Sequence, residues 1–147
     1  MTEIERKYLV ADSSFKEMAR EKIEISQGYL NRDPERTVRV RIWGEKGFLT
    51  VKGITEGCCR KEFEYGIPHA DALELLGLCE EGILRKTRYI VDYEGWKWEI
   101  DEYHGRLEGL TVAEIELPAA DATYPLPPFI GKEVTGDPSY YNSALKP

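Results

Sequence analysis

Charged residues recur at every second position through most of this chain, and within each run they keep one phase. Glu3, Glu5 and Lys7 open the pattern. Arg39 and Arg41 continue it, then Lys52, then Arg60 with Glu62 and Glu64. Lys86 with Arg88, Glu99 with Asp101, and Glu114 with Glu116 complete it. In a strand, residues two apart point to the same face. The other phase is apolar or aromatic: Val38, Val40 and Ile42; Leu49 and Val51; Phe63 and Tyr65; Trp98 and Ile100; Ala113, Ile115 and Leu117. Such a chain folds as a sheet with one apolar face and one face crowded with both signs of charge.

A charged face in water is the ordinary outcome for a half-buried antiparallel sheet. A solvated face also mixes in Ser, Thr, Gln and Asn, whereas here seven basic and eight acidic side chains fall in phase. Arginine leads the basic set, and its guanidinium grips phosphate oxygens in a bidentate manner. Paired carboxylates suit hard divalent cations, which take oxygen ligands. Curling the sheet with this face inward yields a hydrophilic tunnel for a metal ion and a polyanion.

Turn signals divide the chain into about eight strands. Glu3–Val10, Ser26–Asn31, Arg36–Trp43, Gly47–Gly53, Cys59–Ile67, Leu84–Tyr93, Lys97–Tyr103 and Leu110–Leu117 read as strands. Gly44-Glu45-Lys46 and Glu94-Gly95 read as hairpin loops. Ser13–Ile25 reads as a helix with Phe15, Met18, Ala19 and Ile23 as its apolar stripe. Pro68–Leu78 reads as a second, packing through Ala70, Leu73 and Leu76, and Tyr140–Leu145 as a short terminal one. The fold class is α+β, mainly β: an antiparallel sheet closing into a barrel, with a few helices outside.

Length and composition set bounds. The 147 residues, 41% of them hydrophobic, suit a single folded domain over 1–147. A net charge of −7 argues against nucleic acid and anionic membranes as partners. No apolar run is long enough to span a bilayer and no secretory leader is visible, so a cytoplasmic location is expected. Cys58, Cys59 and Cys79 lack metal-site spacing and read as free thiols. His69 and His104 read as surface residues. Trp43 or Trp96, placed on an outer wall, would suit a homodimer contact.

The charged strands also carry a family resemblance. Glu3-Ile4-Glu5-Arg6-Lys7 is similar to the E-x-E-x-K signature of the CYTH superfamily, the triphosphate tunnel metalloenzymes. Gln27-Gly28-Tyr29-Leu30, Arg39-Val40-Arg41, Thr50-Val51-Lys52-Gly53 and Arg60-Lys61-Glu62-Phe63-Glu64 follow in order. So do Lys86-Thr87-Arg88, Trp98-Glu99-Ile100-Asp101, Ala113-Glu114-Ile115-Glu116-Leu117 and Gly131-Lys132-Glu133-Val134-Thr135-Gly136-Asp137. The resemblance implies an eight-stranded antiparallel tunnel. It is strongest to the short bacterial branch that hydrolyses inorganic tripolyphosphate to pyrophosphate and phosphate.

The same resemblance implies roles. Glu3, Glu5, Asp101, Glu114 and Glu116 are expected to hold Mg²⁺ or Mn²⁺. Lys7, Arg39, Arg41, Lys52, Arg60, Lys86 and Arg88 are expected to bind the small-molecule triphosphate. Lys7, Tyr29 and Lys86 are expected at the chemistry. Other triphosphate enzymes (adenylate cyclase, thiamine or nucleoside triphosphatase) and a polyphosphate-binding module without turnover are the alternatives.

Overall fold

In the computed structural model, which describes residues 1–145, the strands are joined almost entirely by hairpins and short turns. In chain order they are β1 (Thr2–Val10), α1 (Phe15–Met18), β2 (Glu21–Asn31), β3 (Arg36–Trp43), β4 (Lys46–Gly53), β5 (Cys59–Ile67), α2 (His69–Leu76), β6 (Glu80–Tyr93), β7 (Trp96–Tyr103), β8 (Thr111–Glu116) and β9 (Ile130–Glu133). Every pairing is antiparallel, and the sheet order is β5-β4-β3-β2-β6-β7-β8-β1-β9.

The barrel closes through β1, whose far edge is divided between two partners. Its start, Thr2–Ile4, pairs with Lys61–Cys59 of β5. Its end, Tyr8–Val10, pairs with β9. Eight strands thus form a closed antiparallel barrel, and β9 covers the stretch of β1 beyond the seam. Closure removes the unpaired edge that an open sheet of these strands would expose.

Two-residue turns fix the register. Glu94 and Gly95 both have positive φ, 48° and 83°, which matches the strand twist in a tight hairpin. Gly44 opens the β3–β4 turn at φ 60°. The expected three-residue loop shortens because Lys46 pairs with Trp43.

The apolar phase faces outward and builds two cores on the barrel wall. Tyr8, Tyr89, Val91, Trp98, Ile100, Ala113 and Ile115 pack beneath Phe15 of α1 and Phe129 of the loop before β9. Val40 packs beneath Ala72 and Leu76 of α2. A Cβ on Gly47 would meet that of Ala72 at 2.8 Å, so only glycine lets α2 lie so close to β4.

Three expectations are corrected. The helix over Ser13–Ile25 shrinks to Phe15–Met18, because from Glu21 the chain pairs with β6, from Glu21↔Ile90 to Gln27↔Leu84. The two-residue alternation of Ile23 and Ile25, both β-branched, outweighed a weak helical stripe. Helix α2 buries Ala72 and Leu76, whereas Ala70 and Leu73 are exposed. The terminal segment forms two short 3₁₀ turns, Pro138–Tyr140 and Asn142–Ala144. Trp43 differs from the expectation of an outer wall, sharing the inner face with Ile23 and Ile25 under the Arg88 guanidinium, whereas Trp96 lies on the outer face in phase with Trp98 and packs on Tyr124. No helix among the described residues is long and apolar enough to cross a membrane.

Candidate active site

Strand register sets the predicted charges opposite one another on the inner face. Tyr29 faces Arg39 and Gln27 faces Arg41 across β2 and β3. Thr50 and Lys52 of β4 meet Glu64 and Glu62 of β5. Arg88 meets Asp101, Glu99 meets Glu114, and Lys7 meets Glu114. Glu5 faces Glu116, and Glu3 faces Arg60 across the seam.

Two adjacent hollows with shared lining residues occupy the interior. One, of about 400 Å³, is lined by Arg39, Arg41, Lys52, Arg88, Glu114 and Glu116 and opens past Trp43, Lys46 and Lys97. The other is narrower, about 60 Å³, and lined by Lys7, Tyr29, Arg39, Lys52 and Arg60. Glu3, Glu5 and Asn142 border both. At one end of the barrel Leu84, Tyr103 and Val112 pack with Leu145. The C-terminal segment is tied down there: Arg32 donates to the Ser143 carbonyl at 2.6 Å, and Lys7 Nζ to the Tyr140 carbonyl at 3.0 Å.

The basic side chains divide into two kinds. Lys86 Nζ lies 2.7 Å from Asp101, and Arg88 contacts both Asp101 and Glu99. Lys52 contacts Glu3 and Glu62, and Lys7 approaches Glu114 at 3.4 Å. These four carry counter-ions. Arg39, Arg41 and Arg60 do not, among the described residues. Arg39 reaches Thr50 Oγ1 at 3.4 Å, and its Nε has no partner. Arg41 donates from Nε and Nη2 to Gln27 Oε1 at 3.0 and 2.8 Å. Arg60 donates to the Gly53 carbonyl and to Thr37.

Burial makes this costly. Burial, then Arg39 and Arg88, push the Arg41 guanidinium down to about 9. Burial, opposed by Asp101 and aided by Arg88 and Arg41, brings the Lys86 ammonium down to about 7. Burial alone would raise the Asp101 carboxyl, but Arg88 and Lys86 outweigh it and hold it far below the usual carboxylate range. Asp101 lines neither hollow and spends both oxygens on those two cations.

The acidic wall shows the opposite imbalance. Burial, then Glu114 and Glu3, raise the Glu5 carboxyl well above its ordinary value. Burial would raise Glu114, but Lys7, Arg88 and a hydrogen bond from Glu5 together outweigh it and leave the carboxyl at about 2. Glu114 Oε1 is buried without a hydrogen bond. All-oxygen donors of this kind fit a hard divalent cation. Among the described residues no three acidic, His or Cys side chains converge tightly enough to hold an ion alone.

The family model for the CYTH domain matches residues 1–141. The chain belongs to the CYTH domain family. It is 47% identical over 144 residues to an inorganic triphosphatase of Acetivibrio thermocellus, covering 97% of this chain and 92% of that one. It is 37% identical over 150 residues to an inorganic triphosphatase of Nitrosomonas europaea, covering 99% and 97%. The crystal structure of an inorganic triphosphatase superposes with a TM-score of 0.67 at 33% identity, covering 96% of this chain and 94% of that one.

Within this CYTH tunnel, Lys7 and Tyr29 line the same narrow hollow without bonding each other; the Tyr29 ring lies 4.9 Å from the Arg32 guanidinium. Lys86 lines neither hollow. Sequence reasoning missed Gln27, although it lies in phase with Tyr29, and the C-terminal segment that brings Asn142 inside, which carries no charge pattern to betray it. The thiol Cys58 borders the narrow hollow, and all three cysteines are free.

Proposed function

We propose that this chain is a divalent-metal-dependent inorganic triphosphatase, splitting tripolyphosphate into pyrophosphate and phosphate. One observation carries the reading: Arg39, Arg41 and Arg60 converge on the tunnel with only neutral partners. Three guanidiniums without counter-ions on one tunnel suit a multiply charged anion, which they can grip through charge-assisted hydrogen bonds. The similarity to two curated inorganic triphosphatases over nearly the whole chain supports the same substrate.

The residues divide the work. Arg39, Arg41 and Arg60 bind phosphate oxygens, and Lys7 and Lys52 join them from the acidic side. Charge spread over the transferred phosphoryl group is stabilised by these preplaced cations in a confined site. Glu3, Glu5, Glu114 and Glu116 would hold Mg²⁺ or Mn²⁺, directly or through water, and the ion would neutralise phosphate charge and polarise the attacking water. The water oxygen bonds to the terminal phosphorus as the bridging P–O bond breaks. Pyrophosphate departs with the electron pair, and the water proton is released. Lys7 and Tyr29 face the reacting end, the ammonium supporting the leaving oxygen and the hydroxyl orienting the water. Asp101 keeps Lys86 and Arg88 in place from beneath.

Phosphate release from tripolyphosphate, ATP and thiamine triphosphate, each with Mg²⁺ and with Mn²⁺, tests the reading. Tripolyphosphate should be turned over fastest; a chain that hydrolyses only the organic triphosphates is not an inorganic triphosphatase.

A further inference from the structure

Gln27 is fully buried on the inner face of β2. Its Oε1 accepts both the Nε and the Nη2 of Arg41, which a carbonyl oxygen does and an amide nitrogen cannot. The amide orientation is therefore fixed, and Nε2 has no hydrogen-bond partner among the described residues.

For stability alone this is a poor choice. A glutamate is nearly the same size and would satisfy both guanidinium donors. It would leave no orphaned amide and would neutralise a cation that lies buried beside Arg39 and Arg88. The same barrel uses that solution elsewhere: Asp101 grips Arg88 and Lys86, and Glu3 grips Lys52. At Arg41 a neutral side chain holds the guanidinium by the same two donors and leaves its charge uncompensated. Buried unpaired groups that lower stability collect where binding needs them.

We infer that Gln27 is a positioning residue that aims Arg41 at the polyanion while leaving its charge available, so that tripolyphosphate affinity is set as much by the neutrality of residue 27 as by the arginine. This rests on tripolyphosphate occupying the tunnel. The orphaned Nε2 and the crowded guanidiniums are the cost of that arrangement.

The two roles for Gln27 predict opposite signs. A structural residue loses stability and binding together when changed. A neutral positioner, changed to glutamate, gains stability and loses binding. The experiment compares wild type, Gln27→Glu and Gln27→Met by thermal melting and by calorimetric titration of tripolyphosphate in EDTA. Gln27→Glu should melt higher and bind at least about tenfold more weakly, a difference of about 1.4 kcal/mol. Gln27→Met keeps the volume and removes the acceptor; it should also bind more weakly, because the guanidinium loses its anchor. Unchanged affinity in either variant overturns the inference, as does a Gln27→Glu protein that melts lower. A wild type that binds no tripolyphosphate either in EDTA or with Mg²⁺ refutes the substrate instead, and the melting temperature of Gln27→Glu still separates the two roles.

Discussion

Lys86 Nζ lies 2.7 Å from Asp101 Oδ2, and neither side chain reaches solvent. Arg88 grips the same carboxylate from Nε and Nη2 at 2.7 and 2.9 Å, so one anion serves two buried cations. Removing one partner of a buried ion pair costs about 3–5 kcal/mol, because the survivor is left uncompensated. Asp101→Asn should lower the melting temperature sharply and leave the affinity for the divalent ion close to wild type. Calorimetric metal titration of the folded variant checks this. A stable variant that no longer binds the ion would make Asp101 a ligand.

Arg39 behaves in the opposite way. Its Nε is unpartnered, and its charge adds to the pressure on Arg41. Arg39→Ala removes a charge-assisted contact worth about 1.5–3 kcal/mol to bound phosphate. The KM for tripolyphosphate should rise about tenfold or more, while the melting temperature of the empty protein holds or rises. Steady-state kinetics beside a melting curve decide it; lost stability with unchanged kinetics would make the arginine structural.

The acidic wall has its own pH signature. In the metal-free protein the Glu5 carboxyl titrates well above its ordinary value, first through burial and then through Glu114 and Glu3. Between those two values the folded state keeps a proton that the unfolded chain has released, so stability falls as pH rises through that window. Melting temperatures in EDTA should therefore decline from about pH 4.5 upward, from the ordinary value onward. Glu5→Gln should flatten the decline and depress metal-dependent turnover. Binding the divalent ion displaces that proton, so the melting gain from added Mg²⁺ should grow with pH. A gain independent of pH would remove Glu5 from the metal site.

Lys7 and Tyr29 share a hollow but are not hydrogen-bonded to each other, and the Lys7 ammonium donates to the Tyr140 carbonyl. A substrate lying between them is what would make them a unit. Single-turnover hydrolysis by Lys7→Ala, Tyr29→Phe and the double variant should show losses that do not add, with kcat affected more than affinity. Strictly additive losses would mean independent roles.

The barrel was legible because its inner face announces itself: Arg39-Val40-Arg41 or Glu114-Ile115-Glu116 admits one phase. Strand Cys59–Ile67 was read to the residue. Charge phase reveals which side chains face inward, but not which are spent on each other. Asp101 and Glu5 look alike in sequence, yet only the pairing of β6 with β7 places Asp101 beneath two cations. Strand β9 was missed because four residues, Ile130–Glu133, are too short to show alternation. Glu21–Ile25 was misread because a lone two-residue alternation says little until β6 is known to lie beside it.

The most direct test of the whole account is phosphate release from tripolyphosphate by the purified protein, measured with Mg²⁺, with Mn²⁺ and with EDTA. The tunnel account predicts turnover with a divalent ion, formation of pyrophosphate and phosphate in equal amounts, and no turnover in EDTA. Full hydrolysis in EDTA, or tight binding of tripolyphosphate with no hydrolysis under any metal, would contradict it.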